Sequence, residues 1–138
     1  MKKVMVFGTF DGLHAGHLNF FQQAKTQGDY LIIIVARNSN VKKIKGHLPK
    51  LDEKKRLVNV KAAGIGDKVI LGEIKNPYAV IKKFKPEIIC LGYDQNSFCQ
   101  NLKSSFSKVK VTRLKSYKPT IYKSSKMNQE LRIMNHGR

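Results

Sequence analysis

Apolar runs of strand length alternate along the chain with amphipathic stretches of helix length, the pattern of a parallel sheet with crossover helices. VMVFG, residues 4–8, predicts a first strand, and HLNFFQQAKTQG, residues 17–28, a helix whose Leu18, Phe21 and Ala24 recur at helical spacing before Gly28 ends it. YLIIIVAR, residues 30–37, is apolar without alternation, so it predicts a second strand buried on both faces. The next segment, NSNVKKIKGHLP at 38–49, has no clear periodicity and is too long for a mere connector; it predicts a functional or mobile loop.

Asp52 then caps a predicted helix through EKKRLVNVKAAG, with Glu53 in its first turn and glycines closing it. KVILG predicts strand three, NPYAVIKKFK a short helix opened by Asn76 and Pro77, EIICLG strand four and VKVTRL strand five. Residues 124–134 predict a last helix. The expected architecture is α/β, a single domain over residues 1–138 built as an open parallel sheet with helices on both faces.

Composition changes this picture in two places. Hydrophobic residues make up 41% and no apolar run reaches the ~20 residues of a membrane span, which excludes a membrane protein of the helical kind. Gly8 and Asp11 cut the first apolar stretch short of a signal-peptide core, so a cytoplasmic setting is expected. Lys and Arg number 27 against 9 Asp and Glu, a net charge of +18 that draws in anions such as nucleotides or nucleic acid. The lysines are spread along the chain, a distribution equally suited to solvated faces. Cys90 and Cys99 form no metal-ligand or C-x-x-C spacing and read as free thiols, Cys90 inside a buried strand.

Ligands of an open parallel sheet bind outside the carboxyl ends of its strands. At the first such end stands FGTFDGLHAGH, residues 7–17. It leaves a strand and enters a helix, so backbone N–H groups and the positive end of the helix dipole make an anion site. His14 and His17, three apart, fall on one face of the first turn and add two donors to it. A metal site would need a third ligand, for which Asp11 is the near candidate. At the other strand ends, Gly92 permits close approach of a nucleotide ring, and Asp94 is an acceptor for ribose hydroxyls or a base amine. Ser124 and Ser125 at a helix start suit either capping or phosphate binding.

These residues carry a resemblance. GTFDGLHAGH resembles the G-x-F-D-x-x-H-x-G-H signature of the cytidylyltransferase-like nucleotidyltransferases, which include cytidylyltransferases, sugar-phosphate adenylyltransferases and archaeal-type FAD synthases. The resemblance covers residues 2–126 and implies a Rossmann-like nucleotidyltransferase fold. It implies that a substrate phosphate attacks the α-phosphorus of a nucleoside triphosphate and pyrophosphate leaves. His14, His17, Lys42 and Lys45 would be the catalytic groups, with Lys43 close enough to compete for a lysine role. Gly8, Thr9, Phe10, Asp11 and Gly16 would form the nucleotide-binding turn, joined by Arg56, Gly92, Asp94, Arg113, Ser124 and Ser125. Mg²⁺ would arrive with the triphosphate, and the family resemblance implies a homodimer.

LGYDQ at 91–95 is similar to the matching string of archaeal-type FAD synthases, which implies ATP and FMN as substrates. The segment TRLKSYKPTIYKSSK departs from that pattern between Pro119 and Tyr122 and also lacks the cytidylyltransferase string. CTP with glycerol 3-phosphate, or ATP with a sugar phosphate, therefore stay open beside FMN, for whose flat ring Phe98, Tyr117 and Tyr122 are candidate walls. A basic nucleic-acid-binding protein on the same scaffold is the alternative from another class.

Overall fold

The computed structural model of the chain describes residues 1–76, 78–91 and 109–114. Its elements run β1 (Lys3–Gly8), α1 (Ala15–Lys25), β2 (Tyr30–Val35), α2 (Asn38–Lys45), α3 (Glu53–Ala63), β3 (Lys68–Leu71), α4 (Ala79–Phe84), β4 (Ile88–Leu91) and β5 (Lys110–Arg113). All five expected strands are present, and they form one parallel sheet in the order β3-β2-β1-β4-β5. The expected helix over 124–134, together with Gly92, Asp94, Phe98, Cys99, Tyr117, Tyr122, Ser124 and Ser125, lies outside the described residues.

A strand buried on both faces needs apolar side chains at every position, and β2 supplies them from Leu31 to Val35. One face of the sheet, with Val4, Val6, Leu31 and Ile33, packs against Phe21 and Ala24 of α1 and Val60 of α3. The opposite face, with Met5, Ile32, Ile34 and Ile89, packs against Val80 and Ile81 of α4. Each fully buried aliphatic side chain of this kind contributes about 1.5–3 kcal/mol, so the two-layered core is the main source of stability. Cys90 is fully buried within it, and loss of hydration pushes its thiol up to about 11.

Two expectations need correction. Residues 38–45 of the supposed loop are helical. The cap that starts α2 comes from fifteen residues downstream, where Glu53 Oε1 accepts the Asn38 N–H at 2.8 Å, and Gly46 closes the helix in a left-handed conformation at φ 85°. Local reading had no such cap to find. α1 begins at Ala15 instead of His17 because His14 is its N-cap, and Leu18 of the expected apolar stripe is exposed. The short helix α4 starts after Asn76, whose Oδ1 accepts the Tyr78 N–H at 3.0 Å.

Acidic side chains are few and nearly all serve the backbone. Of seven in the described residues, six accept a backbone N–H: Asp11 from Lys50 and Leu51, Asp29 from Lys2, Asp52 from Lys54, Glu53 from Asn38, Asp67 from Leu31 and Glu87 from Lys3. Such charge-assisted bonds are the stronger class of hydrogen bond and fix loops that packing alone would leave loose.

Candidate functional site

The chain runs outward from β1 to β2 and β3, then returns to place β4 on the other side of β1. β1 and β4 therefore flank the point where strand order reverses, which is where open α/β sheets hold their ligands. Their carboxyl ends are level, since Val6 pairs with Cys90 and Gly8 with Val35 of β2. The segment 8–17 leaves the sheet at this point.

Gly8 is required by what lies over it. A Cβ there would come within 2.4 Å of Cζ of Phe10, whose buried ring folds back over the glycine and meets Phe21 edge-on at 5.0 Å. Phe10 itself holds a left-handed backbone at φ 55°, a conformation that costs about 1 kcal/mol or more for a side chain of this size. Burial of its ring offsets that strain. The same ring touches His17 edge-on at 5.6 Å, so the core reaches up to steady a histidine of the turn.

His14 and His17 form a reciprocal capping box at the start of α1. His14 Nδ1 accepts the Gly16 N–H at 3.0 Å, His17 Nδ1 accepts the His14 N–H at 3.3 Å, and the two rings stack with centroids 4.0 Å apart. With each Nδ1 used as an acceptor, the proton of each neutral imidazole resides on Nε2, which makes both rings donors through the same nitrogen. Loss of hydration around its ring pushes the His14 pKa below the ordinary value and favours that neutral state. Serine, threonine or aspartate would cap the helix as well but would bring no such donor.

Asp11 points away from a ligand role of the simple kind. Its two carboxylate oxygens accept the N–H groups of Lys50 and Leu51 at 2.7 and 2.8 Å, tying the turn to the loop before α3. The Lys50 N–H is the main cause holding its carboxyl below the usual range, opposed by burial and aided by the Leu51 N–H, Arg56 and Lys50 charges. Among the described residues no group of three or more His, Cys, Asp or Glu side chains comes together as metal ligands.

Lys42 and Lys45 lie on the last turn of α2, exposed, as does Lys43; the helix starts just beyond the carboxyl end of β2. Arg113 is the last residue of β5, exposed, in register with Leu91 at the end of β4. Gly16 lies in the first turn of α1 and donates to His14. Arg56 differs from an exposed helix charge: it is 0% exposed, with its guanidinium donating to the carbonyls of Leu51 (3.0 Å), Thr9 (2.8 Å) and Ala36 (2.8 Å) and to Asn38 Oδ1 (2.7 Å). Burial lowers its pKa, an effect opposed by the charges of Asp11, Glu53 and Asp52. Asn38, Glu53 and the Phe10 ring are site-building groups that sequence reading missed as such, because their partners lie 7 to 18 residues away or more.

The chain has counterparts among known proteins. The family model described as Cytidylyltransferase-like matches residues 5–129. A FAD synthase of Methanosarcina barkeri is 44% identical over 110 residues, covering 78% of this chain and 76% of the relative. The FAD synthase of Thermoplasma volcanium is 34% identical over 135 residues, covering 95% of this chain and 94% of the relative. Among solved structures, a lipopolysaccharide core biosynthesis protein of Thermoplasma volcanium superposes with a TM-score of 0.78 at 36% identity, over 85% of this chain and 98% of that one. A pantoate-beta-alanine ligase of Francisella tularensis, 17% identical, shares the fold with a TM-score of 0.57 over 93% of this chain and 64% of that one.

Proposed function

This chain belongs to the cytidylyltransferase-like family, and we propose that it is the member that transfers AMP from ATP to FMN, giving FAD and pyrophosphate. The observation that carries the reaction class is the histidine capping box at the strand-order switch, which presents two Nε2–H donors at one helix start. The substrate choice is supported by the relatives named FAD synthase, which match this chain over most of its length.

In the proposed reaction an oxygen of the FMN phosphate forms a bond to the α-phosphorus of ATP, and the bond from that phosphorus to the bridging oxygen breaks. Pyrophosphate carries away the electron pair. Nothing covalent is asked of the protein. Its residues position the two phosphates and stabilise charge on the α-phosphate oxygens, the task of His14 and His17. Lys42 and Lys45 lie on the neighbouring strand's helix and suit the outer phosphates as point charges. The Asp11 oxygens are bonded to backbone N–H groups, so Mg²⁺ would be held mainly by the triphosphate and would supply charge neutralisation for the leaving group. One domain over 1–138, a cytoplasmic setting and a homodimer complete the proposal.

Pyrophosphate release tests it, measured with ATP and CTP against FMN, glycerol 3-phosphate and sugar phosphates. ATP with FMN is expected to give the highest turnover. A second acceptor is favoured by one finding, the likeness to the lipopolysaccharide core biosynthesis protein of Thermoplasma volcanium, so turnover with a sugar phosphate and none with FMN overturns the acceptor. Turnover with CTP alone overturns the nucleotide.

A further inference from the structure

Arg56 is a fully buried cation that the proposed reaction leaves without a task. Every acceptor of its guanidinium is neutral: three backbone carbonyls and one side-chain amide. The price of dehydrating it is offset by dipoles drawn from four separate places, the ends of β1 and β2, the start of α2 and the loop before α3, and by the charges of Asp11, Glu53 and Asp52. A helix needs nothing of this kind, and the core on that face is already closed by α1 and α3.

The acceptors explain the arrangement. A trans peptide sets its C=O and N–H on opposite sides. Drawing the Thr9 carbonyl onto Nη1 at 2.8 Å therefore turns the Phe10 N–H to the far side of that peptide, away from the guanidinium. The next residue, Phe10, is the one with the strained φ of 55°, and its ring edge rests on His17. The same Nη1 holds the Ala36 carbonyl, and Nη2 holds Asn38, the first residue of the helix that carries Lys42 and Lys45. Asp11 closes the ring of contacts by gripping the N–H of Leu51, the residue whose carbonyl Arg56 Nε takes. One guanidinium thus sets the relative placement of the histidine turn and the lysine helix.

We propose that Arg56 is a positioning residue for nucleotidyl transfer, acting through the Thr9–Phe10 peptide and the start of α2, and that it makes no contact with the nucleotide. The inference rests on the reaction proposed above. A positioning role and a phosphate contact predict opposite kinetics: misplaced transition-state donors lower kcat, whereas a lost ground-state contact raises KM.

The test compares Arg56→Lys, Arg56→Met and Asn38→Ala with the unaltered protein, in kinetics and in the side-chain NMR signals of His14 and His17 without substrate. Arg56→Lys keeps the charge and loses the fork, so kcat falls about tenfold, and Arg56→Met lowers it about a hundredfold, with KM for the nucleotide within about threefold in both. The His17 imidazole signal moves in every variant, through Phe10. Asn38→Ala removes one acceptor of the guanidinium, along with the Asn38 Nδ2 bond to Asp52, and leaves the guanidinium buried; it keeps the test decisive if the Arg56 variants fail to fold, and lowers kcat about threefold. A tenfold rise in KM at unchanged kcat, or an unmoved His17 signal in folded variants, overturns the inference. If the unaltered protein turns over no nucleoside triphosphate, the proposed reaction fails, and the His17 signal alone decides the role of Arg56.

Discussion

His17 takes the backbone N–H of His14 on its Nδ1 at 3.3 Å while the two imidazoles stack 4.0 Å apart, so each histidine of the pair is held by the turn that the other helps to close. Structure and chemistry use opposite nitrogens of the same ring.

Asparagine is as good an N-cap as the helix needs but carries no Nε2. His14→Asn is expected to keep its melting temperature while kcat drops about 10²- to 10³-fold, the loss typical of one oxyanion donor. His14→Ala loses the same rate and about 1 kcal/mol of stability besides. Thermal denaturation beside a pyrophosphate-release assay reads both, and near-normal turnover by the asparagine variant would refute the donor role.

The depressed pKa of His14 has a pH signature. The folded state resists protonation, so as pH falls below the ordinary value of 6.5 the unfolded chain takes up the proton first. The stabilising contribution is present above that value and is lost as pH drops through the folded-state pKa. Histidine NMR titration should place His14 below a free imidazole, and the fall in melting temperature between pH 7.5 and 5.5 (about the histidine range) should shrink in His14→Asn. An equal fall in both proteins counts against it.

Gly8→Ala should disturb the turn from beneath. The new Cβ lies 2.4 Å from the Phe10 ring, which is buried against Phe21 and cannot swing into solvent without exposing its apolar surface. Overpacking of this kind costs about 1–3 kcal/mol, and because Phe10 also braces His17, kcat is expected to fall with stability. Chemical denaturation and turnover measured on one preparation check this; an active, fully stable variant contradicts the packing.

Cys90 should be chemically silent in the folded protein, since it is fully buried and its thiol is pushed up to about 11. In a Cys99→Ser background, a thiol reagent at pH 8 (about half a unit below an ordinary thiol pKa) should modify the protein only after denaturant is added. Rapid labelling of the native protein would show that β4 opens readily.

The alternation of apolar runs and amphipathic stretches was enough to read the parallel sheet, because strands like YLIIIV admit no other burial. The histidine turn was legible for the same reason of locality: its strand, glycines, histidines and helix follow one another within residues 3–25. α2 was not legible, because Glu53 caps it from another helix, and neither was the fate of Arg56, three of whose four acceptors are 18 to 47 residues away, or of Asp11, whose partners are 39 and 40 residues away. A charged residue on an amphipathic helix reads as solvated until the carbonyls that receive it are in place.

The carboxylates that clasp backbone N–H groups give the fold a one-sided tolerance of its surroundings. Asp11, Asp52, Glu53 and Glu87 all have lowered pKa values, with a backbone N–H as the first cause in each. Each proton that acid places on one of them loosens a loop or a helix start and leaves a chain already at +18 more self-repelling. Alkali, by contrast, leaves these clasps intact. The molecule is built to fail from the acid side.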